Sequence, residues 1–206
     1  MVDWPTTMRP PLRRIALVFS VLALVLVPSL GCASEPPAEQ AAEAEATAEE
    51  GASEEAPLLT GPVAREELEA AMPEWMSAMV SAEIDTAAAA GLAEVEPGAE
   101  VLVVLGTWCS DSRREVPRLW RALDEVGGLV PFEIEYLAVD RTKEEPAELL
   151  AGLDLRYVPT FVVRRDGEEV GRVVESSPNG IERDLLALLT GEAAGVLTGR
   201  EDAAGD

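Results

Sequence analysis

Residues Gly106 to Pro117 read GTWCSDSRREVP, and they hold the chemistry this chain can do: Cys109 follows Trp108, and Ser112 stands three positions later. A cysteine at the start of a helix faces unpaired backbone N–H groups and the positive end of the helix dipole, both of which favour a thiolate. Arg113 and Arg114 add positive charge beside it, and Asp111 opposes them. A thiolate so placed attacks a disulfide or a sulfenic acid and ends in a mixed disulfide. Ser112 can donate a hydrogen bond to that thiolate but cannot be oxidised; the alternative is that it is only a favourable early-helix residue. The 206 residues include no histidine and only two cysteines, Cys32 and Cys109. Ser-His-Asp and Cys-His arrangements are therefore excluded, a zinc site would need an unusual ligand set, and no metal or cofactor is expected.

To place Cys109 at a helix start, a strand must deliver it and a helix must follow. Val101 to Leu105, VLVVL, is a continuous apolar run of the kind buried on both faces of a sheet. After Cys109, Val116, Leu119, Trp120, Leu123 and Val126 recur at helical spacing, and Gly127-Gly128 stops the helix. The pattern then predicts a strand over Phe132 to Val139, a short helix over Pro146 to Leu153 and a strand over Thr160 to Val163. Asp166-Gly167 predicts a hairpin into a strand around Val170 to Val174, and Ile181, Leu185, Leu188 and Leu189 a last helix. Upstream, Leu68, Met72, Trp75, Met76, Met79 and Val80 form a helical apolar stripe, with Pro73 either opening a second helix or kinking the first. This order predicts an α/β fold, a mixed central sheet flanked by helices on both faces, with an N-terminal helical extension.

With these residues in place, the region from Val101 to Leu189 resembles thioredoxin. The resemblance rests on the Trp-Cys pair after the first core strand, on Pro117 in the helix that follows, and on YVPTF at 157–161 entering the third strand. It implies a thioredoxin-like fold, a cis-proline at Pro159 facing the active cysteine, and a substrate groove beside Trp108, Val158 and Pro159. The chain departs from the two-thiol pattern at Ser112, which makes it a Cys-x-x-Ser, monothiol variant. In a two-cysteine site the second thiol breaks the mixed disulfide; here an outside thiol or the substrate's own second cysteine must do so. Two other readings stay open. One is a redox-inactive module that binds an extended peptide in the groove; the other is a peroxidase like the peroxiredoxins, whose active-site proline and threonine spacing TWC lacks.

The start of the chain reads as an address. Arg9, Arg13 and Arg14 precede the largely apolar run Ile15 to Leu30, which is shorter than the ~20 residues a spanning helix needs and so predicts a secretory signal over 1–31. An uncleaved membrane anchor is the alternative. The run ends PSLGC, which resembles the lipobox of bacterial lipoproteins, with Ser29 where leucine is usual; the resemblance implies lipidation of Cys32. From residue 33 to 57 the chain carries eight Glu and no base, with no large apolar side chain to bury, and predicts an extended tether over 32–57. A helical extension (58–99), a thioredoxin-like domain (100–191) and a flexible tail (192–206) follow. The expected location is a bacterial cell envelope, lipid-anchored, with the domain outside the cytoplasm, where disulfides persist. Cysteine-containing envelope proteins or small thiols are the expected partners. A formal charge of -23 leaves no basic face for nucleic acid.

Overall fold

The computed structural model describes residues 57–200; the signal segment, Cys32 and the tether up to residue 56 lie outside the described residues. Gly61–Val63 forms β1, Arg65–Ala71 α1, Pro73–Ser81 α2, Thr86–Leu92 α3 and Ala99–Leu105 β2. Ser110–Glu125 forms α4, Glu133–Ala138 β3, Ala147–Leu150 α5 and Thr160–Arg165 β4. Glu168–Val174 forms β5, Ile181–Thr190 α6 and Gly195–Leu197 β6. The strands make one six-stranded mixed sheet in the order β1-β3-β2-β4-β5-β6. β2 runs parallel to β3 and antiparallel to β4, and the Asp166-Gly167 turn folds β5 back antiparallel on β4.

The unbroken VLVVL run is explained by two cores. Val101, Val103 and Leu105 pack with Leu119, Trp120 and Leu185 on one face of the sheet, under α1 to α4 and α6. Leu102 and Val104 pack with Leu137, Val139, Leu153, Val158 and Val162 on the other, against which Leu149 and Leu150 of α5 rest. At roughly 1.5–3 kcal/mol for each large apolar side chain removed from water, a strand buried on both sides is the strongest single anchor of the sheet. α4 ends where the sequence predicts: Gly127 and Gly128 take φ of 69° and 71°, and the Gly128 N–H bonds the Leu123 carbonyl at 2.8 Å.

Several expectations are adjusted. Pro73 opens α2 rather than kinking α1, because Met72, at φ -127° and ψ 65°, breaks the helical path before it. The break resets the phase of the stripe: Leu68, Met72 and Trp75 are buried, whereas Val80 is exposed. The helix expected over Pro146 to Leu153 is shortened to one turn, since the backbone leaves helical geometry at Ala151 and Leu153 turns into the second core. Three elements have no counterpart in the sequence reading. α3, TAAAAGL, has no apolar period; it starts because the Asp85 carboxylate accepts from the N–H groups of Ala87 and Ala88 at 2.9 and 3.0 Å. β1 pairs antiparallel with β3, and Gly195–Leu197, in the segment read as a tail, pairs in parallel with β5. Among the described residues no helix is long and apolar enough to cross a membrane.

Candidate functional site

β2 ends at Leu105 and delivers the chain into a tight turn in which the Cys109 N–H bonds the Gly106 carbonyl at 3.0 Å. Cys109 is the residue that caps α4, at φ -93° and ψ 127°, and its carbonyl accepts the first helical bond, from the Arg113 N–H at 3.1 Å. Its thiol is half-buried and donates to the Val158 carbonyl at 3.2 Å. That carbonyl belongs to the Val158–Pro159 peptide bond, which is cis. The Pro159 carbonyl in turn accepts from the Glu175 N–H at 2.7 Å, and the Thr160 hydroxyl donates to the Tyr157 carbonyl at 2.7 Å, so the loop facing the thiol is held from both sides. A carbonyl accepts only from the protonated thiol. The Cys109–Val158 bond must therefore be given up as the sulfur becomes a nucleophile.

Trp108 and Ser112 are positioned by Gly106. The Trp108 indole N–H donates to the Val139 carbonyl at 3.1 Å, and its ring lies so close over Gly106 that a methyl group there would come within 2.6 Å of it. The Gly106 N–H donates to the Ser112 hydroxyl oxygen at 3.2 Å, and Ser112 has no exposed surface. The serine thus ties the start of α4 to the end of β2. Val158 also differs from a simple groove residue: its side chain points into the second core, and what it presents to Cys109 is its carbonyl.

Two features were not read from the sequence. Thr107, buried within the motif, donates to the Pro57 carbonyl at 2.6 Å and accepts from the Leu59 N–H at 3.4 Å, pinning residues 57–59 beside the site. Arg141, in the loop after β3, lies with its guanidinium 5.8 Å from the centre of the Trp108 ring. Neither could be inferred locally, because their partners lie about 50 and 33 positions away in the chain. The loop carrying Arg141 is built on Asp140. Its carboxylate accepts from the Thr142 hydroxyl and from the N–H groups of Glu145 and Glu144, and these bonds hold it well below the ordinary carboxylate range. No group of histidine, cysteine, aspartate and glutamate among the described residues is arranged to hold a metal ion.

No family model matches the chain. Two curated relatives do: a thioredoxin-like protein of Acanthamoeba polyphaga mimivirus, 22% identical over 95 residues (46% of this chain and 66% of that protein), and the thioredoxin AMT13 of Alternaria alternata, 26% identical over 83 residues (40% and 64%). The chain thus matches a little under two thirds of the length of each. Among solved structures, a protein of unknown function from Pseudomonas aeruginosa overlaps 61% of this chain and 86% of its own, with a TM-score of 0.44 at 20% identity. A thioredoxin of Fasciola hepatica overlaps 48% and 84%, with a TM-score of 0.32 at 24% identity. The chain is distantly similar to thioredoxins, and its mixed sheet flanked by helices is a thioredoxin-like fold.

Proposed function

We propose that the protein exchanges thiols and disulfides through Cys109 alone. The observation that carries this reading is the placement of a half-buried thiol on the residue that caps α4, against the carbonyl of a cis-proline loop, with no second cysteine among the described residues. The Cys109 sulfur attacks one sulfur of a substrate disulfide. A new S–S bond forms, the other substrate sulfur leaves with the bonding pair, and the mixed disulfide waits for a second thiolate. An external thiol then attacks the substrate sulfur, takes it as a new disulfide and returns Cys109 as a thiolate, so each step exchanges one S–S bond for another. Ser112 takes no electrons. Wild-type protein should form long-lived mixed disulfides that added small thiol releases, and Ser112→Cys should gain reductant-driven cleavage of a test disulfide such as insulin's. If native Cys109 traps no partner and Ser112→Cys gains nothing, the exchange reading fails.

One observation favours a second reading. The thiol is already satisfied by the Val158 carbonyl, and Ser112 is bonded to Gly106 rather than to sulfur, so the same loop can serve as a peptide-binding edge without redox chemistry. In that case Cys109→Ala would leave partner binding intact.

The site is proposed to work at a membrane surface of a bacterial envelope, tethered through lipidated Cys32 and the acidic segment that follows it. The support is the LGC sequence after a positive flank and a short apolar run. Globomycin, or Cys32→Ala, should change the mass of the protein and its detergent partitioning; unchanged partitioning with no lipid on the mature N-terminus would sink the tether.

A further inference from the structure

We infer that Arg200, on the segment after α6, is a positioning residue for Cys109: it holds the loop whose Val158 carbonyl the thiol must release before it attacks. The inference deepens the exchange reading and rests on it. β6 runs parallel to β5, with Gly171 opposite Gly195 and Val173 opposite Leu197, so residues 198–200 continue alongside the end of β5. Two glycines permit that approach. A methyl group at Gly171 would come within 2.6 Å of the Gly195 carbonyl oxygen, and one at Gly199 within 2.7 Å of the Ser176 hydroxyl. The Gly199 N–H donates to the Ser176 carbonyl at 2.7 Å, and the Arg200 N–H to the Thr198 hydroxyl at 3.1 Å.

The Arg200 guanidinium then meets both ends of the loop that faces the thiol. It lies over the Tyr157 ring, 4.4 Å from its centre, and donates to the Glu175 carboxylate at 2.6 Å. Glu175 is the residue whose N–H holds the Pro159 carbonyl at 2.7 Å. Between Tyr157 and Pro159 sits Val158, whose carbonyl accepts from Cys109 at 3.2 Å. Glu175 has a φ of 60°, in the left-handed region that a residue with a Cβ occupies only when its surroundings hold it there. An exposed ion pair would contribute little to such a hold. This one is partly enclosed, with side-chain exposures of 32% for Arg200 and 17% for Glu175, and its cation also rests on an aromatic face. Freed from Arg200, the loop can draw its carbonyl away from Cys109, and the sulfur has one bond fewer to give up.

The full-length chain carrying Cys32→Ala, in detergent, leaves Cys109 as its sole thiol. Its infrared S–H stretching band reads the bond to Val158, because a bonded S–H absorbs more strongly and at lower frequency than an unbonded one. Arg200→Gln should move the band upward and weaken it, and Arg200→Lys, which keeps the charge but loses the planar fork, should fall between. Glu175→Gln breaks the same pair from the loop side and should move the band the same way; the two combined should match Arg200→Gln alone. A loss of stability elsewhere in the fold would not move this band. Rates are read with dithiodipyridine: the Cys109 sulfur attacks one sulfur and forms a mixed disulfide, and the other leaves with the bonding pair as thiopyridone, which takes up the thiol proton through solvent. At fixed pH, Arg200→Gln should react about threefold faster than the parent, the factor expected of one weak neutral hydrogen bond. A band unmoved by Arg200→Gln and Glu175→Gln, or one that moves with no gain in rate, overturns the inference while the exchange reading stands. A parent chain inert toward the reagent overturns the exchange reading and, with it, the inference.

Discussion

Gly106 shows how much of the site depends on an atom that is missing. Its backbone N–H is spent on Ser112 and its bare α-carbon makes room for the Trp108 ring, so one residue sets both neighbours of Cys109. Gly106→Ala would push a methyl group into the indole, which is itself tethered to the Val139 carbonyl. The expected cost is about 1–3 kcal/mol, the usual range for overpacking a filled site, with a change in tryptophan fluorescence as the ring moves. Denaturant unfolding that matches wild type, with an unshifted emission spectrum, would show that the ring is not held there. At this scale the sequence places Trp108, Cys109 and Ser112 around the start of α4, where Gly106 bonds Ser112 and the Val158 carbonyl faces Cys109. It left the serine between two roles, and in the structure its partner is a backbone N–H rather than sulfur.

At the scale of elements, α3, α4 and α6 are joined by buried charge. Glu182, fully buried in the first turn of α6, accepts two bonds from Arg118 of α4, at 2.9 and 2.8 Å, and one from the Asp85 N–H at the start of α3, at 2.8 Å. Burial alone would raise its carboxyl; the Arg118 guanidinium and the Asp85 N–H outweigh burial and hold it below the ordinary value. A carboxyl depressed in the folded state contributes stability above its unfolded pKa and loses it as pH falls through the folded one. Glu182→Gln should therefore cost about 2–3 kcal/mol at pH 7, less than for a fully enclosed pair because Arg118 remains partly hydrated, and the gap from wild type should shrink below about pH 4. A gap independent of pH would remove the carboxylate from the account. Glu115 on α4 has the opposite sign: burial holds its carboxyl above the usual range despite Arg114, and the fold favours its protonated form, so its contribution to stability weakens as pH rises through its folded value.

For the molecule as a whole, the helical extension is part of the core. Leu68, Met72, Trp75 and Leu92 join the same cluster as Val103, Trp120 and Leu185, with the Trp75 and Trp120 rings 5.8 Å apart, and β1 extends the sheet beyond β3. Trp75→Ala should cost about 3–5 kcal/mol, and residues 100–200 expressed alone should lack a cooperative transition in near-ultraviolet circular dichroism. A fragment that unfolds as sharply as the whole chain would make the extension an accessory after all.

Local pattern alone determined the second strand and the helix that brackets Cys109, the Asp166-Gly167 hairpin and the Gly127-Gly128 stop, because periodicity and turn chemistry act within a few residues of one another. The order of strands and helices could be read for the same reason, whereas the likeness to thioredoxin rested on the Trp108-Cys109 pair, Pro117 and YVPTF at 157–161. Only the tertiary structure decided which carbonyl faces the thiol, since Val158 lies 49 residues from Cys109, and that Thr107 holds Pro57, 50 residues earlier. It also decided the sheet's edges. β1 and β6 are three residues each, too short to carry an alternating pattern, and they are strands because β3 and β5 offer them unpaired backbone groups.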